Sequence, residues 1–178
     1  MKTLKILLSI TLVSFIWGCS MKSIPEEKVY ENVDEMITEA RSLTTDLSIE
    51  EFHTLMNSDS AYILIDVRLP EEHKKGFIPG SVSIPRGVIE FRIASEKVWD
   101  EEGMYVPEKN ELLVLYCKKS KRGALAALAL KQLGYTNVKN MTGGWTDWKV
   151  KYPELKEDKI EAGAEISAAA EEEDSGGC

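Results

Sequence analysis

Cysteine and histidine are scarce in this sequence of 178 residues, which has three cysteines and two histidines. Cys19, Cys117 and Cys178 lie far apart and form no evident disulfide framework. The two histidines, His53 and His73, are isolated and have no metal-ligand spacing. We therefore expect no structural disulfide, no metal site and no cofactor.

An extended basic surface is also missing, because 30 acidic residues outnumber 22 basic ones and the formal net charge is −8. This balance argues against nucleic-acid binding. Much of the negative charge lies in residues 154–178, which contain nine acidic residues, two lysines and almost no large apolar side chains. We expect this segment to be an acidic and largely disordered tail.

The apolar run at residues 6–17 is too short for a membrane-spanning helix, which needs about 20 apolar residues. Two lysines precede the run, and this arrangement is typical of a secretory signal. The sequence Ile-Trp-Gly-Cys at residues 16–19 resembles the bacterial lipobox, which implies cleavage before Cys19 and acyl chains on that cysteine. An ordinary signal peptide followed by an incidental cysteine is the alternative. We therefore expect a lipid-anchored domain in the cell envelope that faces the periplasm or the cell exterior. Ser20 favours the outer membrane if the cell has one.

Predicted helices and strands alternate along the middle of the chain. Apolar residues recur at helical spacing in 31–42, and Ser48 with Glu51 forms a capping box that begins the next helix. Strands are predicted at residues 61–67, 81–84, 112–116 and 137–140, and helices at residues 70–75, 87–99, 122–134 and 145–152. This order indicates an α/β fold with a central parallel sheet and helices on both faces.

The composition divides the chain into four segments. Residues 1–18 form the predicted signal peptide, and residues 19–45 form a lipid-anchored tether that ends in the first helix. Residues 46–153 form the folded domain, which we expect to be monomeric, and residues 154–178 form the tail.

The stretch with the clearest chemistry is the loop that follows the strand at residues 112–116. Cys117 comes directly after this strand, and a helix begins near Arg122. Four of the next five positions carry cationic side chains: Lys118, Lys119, Lys121 and Arg122. Open parallel sheets bind ligands at the carboxyl ends of their strands, and a helix N-terminus with converging backbone N–H groups favours anions. We therefore interpret Cys117 as a thiolate nucleophile in an anion-binding loop, the alternative being a small buried core residue.

This loop resembles the active-site loop of the rhodanese family, in which Cys-x4-Arg/Lys enters a helix. Three other stretches, at residues 64–72, 76–81 and 143–148, resemble further motifs of that family in the same order. Together the four motifs cover about residues 47–153. The resemblance implies the three-layer rhodanese fold, with a central parallel sheet of about five strands.

The resemblance also implies sulfur transfer. Cys117 would take the outer sulfur of an anionic donor such as thiosulfate and carry it as a persulfide, which cyanide or a thiol acceptor would then remove. The loop side chains would bind the substrate: Lys118, Lys119, Ser120, Lys121 and Arg122. Asp66 and Arg68 would support the site. Ser120 stands where many loops of the family have glycine, and Phe77 stands where the family commonly has histidine.

Two other classes of function remain open at this point. Cysteine-dependent phosphatases and arsenate reductases typically have Cys-x5-Arg loops, whereas here the sixth residue after Cys117 is Gly123 and the arginine comes one position earlier. The other class is a non-catalytic lipoprotein that carries or senses sulfur species, or that binds a partner.

Overall fold

The computed structural model describes residues 28–157. Within this range, five parallel strands form one sheet in the order β1-β5-β4-β2-β3. The strands are β1 Thr45–Leu47, β2 Ile63–Asp66, β3 Ser81–Ser83, β4 Leu113–Tyr116 and β5 Val138–Met141. The helices are α1 Val33–Leu43, α2 Ile49–Met56, α3 Pro70–Lys74, α4 Ile89–Arg92, α5 Glu96–Glu101, α6 Lys121–Gln132 and α7 Gly144–Lys151, with a 3-10 turn at Arg86–Val88 before α4.

The sheet separates two apolar cores, because successive side chains of a strand point to opposite faces. Leu113 and Leu115 of β4 belong to the core formed with α4, α5 and α6. Val114 and Tyr116 belong to the core formed with α2 and α7, whose centre is the pair Phe52 and Trp148. All four residues of β4 are buried, as expected of a central strand covered on both faces. The predicted three-layer fold with a five-stranded parallel sheet is therefore confirmed.

The topology brings the ends of two central strands together. Asp66 ends β2, Tyr116 ends β4, and the two residues are paired in the register of the sheet. Cys117 follows Tyr116, so it lies at the same edge of the sheet as Asp66 and the segment that follows it. Most sequence-predicted site residues are therefore concentrated at one carboxyl edge.

The predicted start of α2 is confirmed, because Ser48 and Glu51 form the full capping box. The helix predicted at residues 87–99 is wrong, since this segment contains a 3-10 turn and two short helices. In a continuous helix the Ile93 carbonyl would accept from the N–H of Lys97, but it accepts instead from Trp99 Nε1 at 2.8 Å. Trp99 is fully buried, so core packing of the indole accompanies the break.

The folded region extends beyond the predicted boundaries of residues 46 and 153. At its start, β1 begins at Thr45 and pairs with β5, and α1 packs against α6. At its end, Leu155 accepts a hydrogen bond from Trp148 Nε1 at 2.8 Å, and Glu157 forms an antiparallel bridge with Phe77. The first residues of the predicted tail are therefore part of the domain.

The predicted signal peptide, the lipidation at Cys19 and most of the predicted tail, including Cys178, lie outside the described residues. Among residues 28–157, every helix is too short or too polar to cross a membrane.

Candidate active site

Cys117 is the first of the four residues between the end of β4 and the start of α6. The side chain is 1% exposed and packs with the core that contains Leu115 and Ala126. It is a free thiol. The thiol is therefore buried at the junction of the sheet and the helix N-terminus.

Helix α7 holds two backbone carbonyls of this loop. The N–H of Trp145 donates to the Cys117 carbonyl at 2.8 Å, and the N–H of Thr146 donates to the Lys118 carbonyl at 3.0 Å. In a trans peptide the N–H points opposite to the C=O. The N–H groups of Lys118 and Lys119 therefore point away from α7.

The backbone N–H groups of this loop have no acceptor among residues 28–157. In the part of the chain that the structure describes, no hydrogen bond engages the backbone N–H groups of residues 118–122. The last of these belong to the first turn of α6, where a helix leaves its N–H groups unpaired. Successive free N–H groups at a helix N-terminus form an anion-binding nest. The loop backbone is thus suited to hold negative charge near Cys117.

The cationic side chains of the loop do not act as four free charges. Arg122 forms a forked ion pair with Glu72 of α3, with N···O distances of 2.6 and 2.9 Å. Lys121 pairs with Asp34 of α1. Lys118 and Lys119 have no carboxylate partner within residues 28–157. Two of the four cations of the loop are therefore paired with carboxylates from other helices.

The Arg122–Glu72 pair keeps both groups charged. The hydrogen bonds from Arg122 lower the pKa of Glu72 below its ordinary value, and those to Glu72 raise the pKa of Arg122. Glu72 Oε2 also accepts a hydrogen bond from the N–H of Leu69 at 3.0 Å, which holds the carboxylate at the start of α3. The pair joins α3 to α6 beside the loop.

Asp66 and Arg68 form a buried ion pair next to this pair. Arg68 Nε lies 2.9 and 2.8 Å from the two carboxylate oxygens of Asp66, and its Nη2 lies 2.6 Å from Oδ2. His73, for which the sequence predicts no role, completes the cluster through Nδ1 at 2.9 Å from Oδ2. The His73 ring stacks on Phe77, the residue that stands in place of the usual histidine.

This cluster determines the charge of Asp66. Burial alone raises the pKa of Asp66, but the hydrogen bonds from His73 and Arg68 and the charge of Arg68 outweigh it, so the net pKa is lowered. Burial also raises the pKa of the neighbouring Tyr116, whose hydroxyl lies 3.0 Å from Ser81 Oγ. Tyr116 is therefore a neutral hydrogen-bonding group, and Asp66 is an anion.

An open cleft of about 220 Å³ lies beside the loop. Its walls come from the segment around α3, from the loop and from α7: Arg68, Glu72, Lys75, Lys118, Trp145, Thr146 and Lys149. The Arg68 guanidinium lies 4.8 Å from the centroid of the Trp145 ring, a cation–π distance. Trp148 is a core residue, whereas Trp145 is only partly buried and forms part of this wall.

Ser120 differs in conformation from every other non-glycine residue of the described chain. Its φ of 72° is the one positive value outside glycine in residues 28–157. A left-handed conformation costs an L-residue about 1–2 kcal/mol, which explains why glycine is usual at this position. Two residues that the sequence did not single out, Arg41 and Asn140, donate hydrogen bonds to the Ser120 hydroxyl oxygen.

Replacing Gly144 by alanine is expected to displace the loop. Gly144 has a φ of +59°, and an added Cβ would lie 2.3 Å from the Cys117 carbonyl oxygen. Because this neighbour is backbone, the loop must move, and misplacement by about 1 Å typically costs about 10²-fold in rate. We expect a loss of that order in kcat/KM for Gly144→Ala, measured with the activity proposed below.

The matched control is Gly103→Ala. Gly103 has a similar φ of +67°, but no atom lies within 4 Å of its added Cβ. This variant carries the same backbone strain without the contact at Cys117, so its kcat/KM should stay at the wild-type value. Equal losses in both variants would contradict the placement of Gly144 against the loop.

No metal centre competes with this interpretation in residues 28–157, because these residues contain no cluster of histidine, cysteine, aspartate and glutamate that could hold a metal ion. The site therefore consists of one thiol, a backbone nest, two ion pairs and an open cleft.

The rhodanese-like domain family matches residues 48–151. This match spans more than half of the chain and contains Cys117, its loop and both ion pairs of the carboxyl edge. The protein therefore belongs to the rhodanese-like domain family.

Known relatives carry sulfurtransferase names. A putative mitochondrial thiosulfate sulfurtransferase of Schizosaccharomyces pombe is 33% identical over 118 residues, which cover 62% of this chain and 83% of the relative. A thiosulfate:glutathione sulfurtransferase of Homo sapiens is 35% identical over 109 residues, covering 59% and 93%. The solved structure of the human single-domain sulfurtransferase TSTD1 has a TM-score of 0.56 at 32% identity, covering 61% of this chain and 97% of that one. These findings confirm the family and the fold predicted from the motifs.

Proposed function

We propose that this protein is a thiosulfate sulfurtransferase that carries sulfur on Cys117. The observation that supports it best is the backbone of the loop. Its N–H groups at residues 118–122 have no acceptor in the described part of the chain, while α7 holds the carbonyls of Cys117 and Lys118. Such a nest suits an anionic sulfur donor and the negative charge of a persulfide.

The reaction proceeds in two displacement steps. The Cys117 thiolate attacks the outer sulfur of thiosulfate, a new S–S bond forms at Sγ, and sulfite leaves with the electron pair of the broken S–S bond. A second nucleophile, cyanide or a thiol, then attacks the terminal sulfur of the persulfide. The product is thiocyanate or a new persulfide, and Cys117 leaves as the thiolate. No net oxidant or reductant is consumed.

The Arg122–Glu72 pair favours sulfur transfer over phosphate-ester or arsenate chemistry. In a Cys-x5-Arg loop the arginine is available to clamp a tetrahedral oxyanion, because such recognition uses its two parallel N–H donors. Here both terminal nitrogens of Arg122 face the carboxylate of Glu72. The arginine is also one position nearer to Cys117. It therefore braces the loop against α3 instead of gripping an oxyanion.

Lys118 is the side chain of the loop that best fits a substrate-binding role. It lies in the wall of the cleft beside Thr146 and lacks a carboxylate partner within the described chain. Lys119 is exposed and equally unpaired. An anionic donor such as thiosulfate would gain from both charges. The relatives named for thiosulfate support this donor, and the one named for glutathione supports a thiol acceptor.

The experiment that tests the function compares two reactions of the purified protein. We expect thiocyanate to form from thiosulfate and cyanide, and we expect hydrolysis of p-nitrophenyl phosphate to be far slower. Faster phosphate-ester hydrolysis would support the phosphatase alternative. Uptake of sulfur from thiosulfate without release to cyanide or to glutathione would support a carrier or sensor.

We also propose that Cys19 anchors the protein in the cell envelope through acyl chains. The apolar run and the lipobox-like sequence that end at Cys19 support this proposal. Labelled palmitate should be incorporated into the wild-type protein expressed in a bacterial host and be absent from Cys19→Ala. Equal labelling of the two proteins would contradict lipidation at Cys19.

A further inference from the structure

The hydroxyl of Ser120 does not cap α6, although Ser120 occupies the N-cap position of that helix. Instead its oxygen accepts two hydrogen bonds from side chains outside α6, from Arg41 Nη2 at 2.8 Å and from Asn140 Nδ2 at 2.8 Å. The side chain of Ser120 is therefore held between α1 and β5. Because Ser120 is 2% exposed, water competes little for these contacts.

Both donors are themselves held by Asp46. Asn140 Nδ2 also donates to Asp46 Oδ1 at 2.6 Å, and Arg41 Nη1 lies 3.5 Å from Asp46 Oδ2. One carboxylate at the start of the sheet thus orients both groups that grip the serine. Helix α1 and the strand that carries Asp46 precede residues 48–151, the part of the chain that matches the family.

The two hydrogen bonds and the left-handed backbone of Ser120 depend on each other. A rotation of φ from +72° to the ordinary negative region would swing Cβ and the hydroxyl away from both donors. Glycine would need no such restraint at this position, because it adopts positive φ readily. Arg41 and Asn140 therefore stabilise in serine the left-handed conformation that glycine adopts readily because it has no Cβ.

The side-chain amide of Asn140 also packs closely against Gly123 of α6. A Cβ added to Gly123 would lie 2.2 Å from Asn140 Oδ1, so the amide fills the space between Ser120 and Gly123. The same amide oxygen is buried and has no hydrogen-bond partner in the described chain. The full burial of this group beside the loop indicates that its position is tightly determined.

We propose that Arg41 is a positioning residue of the active site, which acts through Ser120 together with Asn140 to hold the loop in its left-handed turn. This role rests on the proposed sulfur transfer through Cys117. Helix α1 is then part of the catalytic unit, although it lies outside the part of the chain that matches the family.

Four proteins test this coupling: the wild type, Arg41→Met, Ser120→Gly and the double variant. We expect Arg41→Met to lower kcat/KM for sulfur transfer about 10-fold in the serine background. Added to Ser120→Gly, the same change should alter kcat/KM by less than about 2-fold, because glycine has no hydroxyl for Arg41 to hold. A merely structural arginine would instead cause the same loss in both backgrounds, since its contact with Asp46 is removed in both, and that result would overturn the proposal. No loss in the serine background would also overturn it.

Lys131→Met is the matched control for the contact between α1 and α6. Lys131 Nζ donates to the Leu43 carbonyl, which joins the same two helices away from the loop. This variant should retain wild-type kcat/KM. A loss as large as that of Arg41→Met would assign the effect to helix docking and overturn the specific role of Arg41.

A second readout does not depend on the proposed function. The N–H groups of Ala124, Trp145 and Thr146 donate hydrogen bonds to carbonyls of the loop, so their hydrogen exchange reports how firmly the loop is held. This exchange, read by mass spectrometry, should be faster in Arg41→Met than in the wild type, and the double variant should exchange like Ser120→Gly. If none of the proteins transfers sulfur, the proposed function fails while the exchange comparison still decides the role of Arg41. Unchanged exchange in Arg41→Met would contradict that role.

Discussion

Cys117→Ser is expected to lower kcat/KM for sulfur transfer from thiosulfate to cyanide by at least about 10³-fold. The serine oxygen would occupy the place of the sulfur at the end of β4, but it is a far weaker nucleophile and cannot carry a persulfide. The loop backbone and both ion pairs would remain. The loss therefore measures the nucleophile and not the binding of the donor.

Cys178, which follows the domain in the sequence, supplies the control. Cys178→Ser removes a thiol at the last position of the sequence and should leave sulfur transfer unchanged. Because burying a hydroxyl in place of the thiol could disturb packing, Cys117→Ala should be measured beside the serine variant, and it should be equally inactive. Retention of most of the activity in both Cys117 variants would rule out this cysteine as the sulfur carrier.

Arg68→Met is expected to lower the free energy of unfolding by about 3–5 kcal/mol at neutral pH, the usual cost of breaking a buried ion pair. The side chains of both partners are almost fully buried. Methionine would leave Asp66 as an anion in the interior, with His73 as its remaining side-chain partner. It would also remove the hydrogen bond to the Gly76 carbonyl and the contact with Trp145. Urea unfolding monitored by tryptophan fluorescence measures the difference.

Arg86→Met is the matched control, because Arg86 pairs with Glu90 at 2.8 Å on a partly exposed surface. Such pairs contribute about 0–1 kcal/mol, so this variant should unfold close to the wild type. If Arg68→Met were no more destabilising than Arg86→Met, the buried pair would not have the role described for it.

The loss of stability in Arg68→Met should depend on pH, because the pKa of Asp66 is lowered in the folded protein. A carboxylate with a lowered pKa in the folded state stabilises the fold above its ordinary pKa, and this contribution is lost as the pH falls through the folded value. The difference in unfolding free energy between the wild type and Arg68→Met should therefore narrow in acid. A difference that stays constant down to acid unfolding would contradict the charge-based explanation.

The part of the fold that the sequence predicted depends on strong local patterns. The continuous apolar runs around β2 and β4 and the capping box at Ser48 identify buried strands and a helix start without knowledge of the rest of the chain. The strand β1 was missed because it has three residues, of which only Leu47 is buried, and its pairing with β5 becomes visible only in the assembled sheet. The end of the domain was missed because the bridge at Glu157 depends on a distant partner, Phe77.

The candidate site was predicted where its chemistry is local and missed where it is not. Cys117, the positive residues after it and the helix start are adjacent in the sequence. The groups that pair with this loop come from far away along the chain, since Glu72 is 50 residues from Arg122 and Arg41 is 79 residues from Ser120. Their role depends on the packing of α1 against α6 and on the position of α3 beside the start of α6, which no local pattern contains.

The contact of His73 with Asp66 could have been predicted from the sequence. His73 lies seven residues after Asp66, in a short helix that begins shortly after the strand-ending carboxylate. A helix of that length folds back over the strand end, so a polar residue in its last turn is a candidate partner for the carboxylate. The isolated position of His73 excluded a metal ligand but did not exclude this structural role.

The most direct test of sulfur transfer through Cys117 is mass spectrometry of the protein after incubation with thiosulfate, without any acceptor. The mass should rise by that of one sulfur atom, peptide analysis should locate the added sulfur on Cys117, and subsequent cyanide should remove it as thiocyanate. No added sulfur, or sulfur found on another cysteine while Cys117 stays unmodified, would contradict the proposed mechanism.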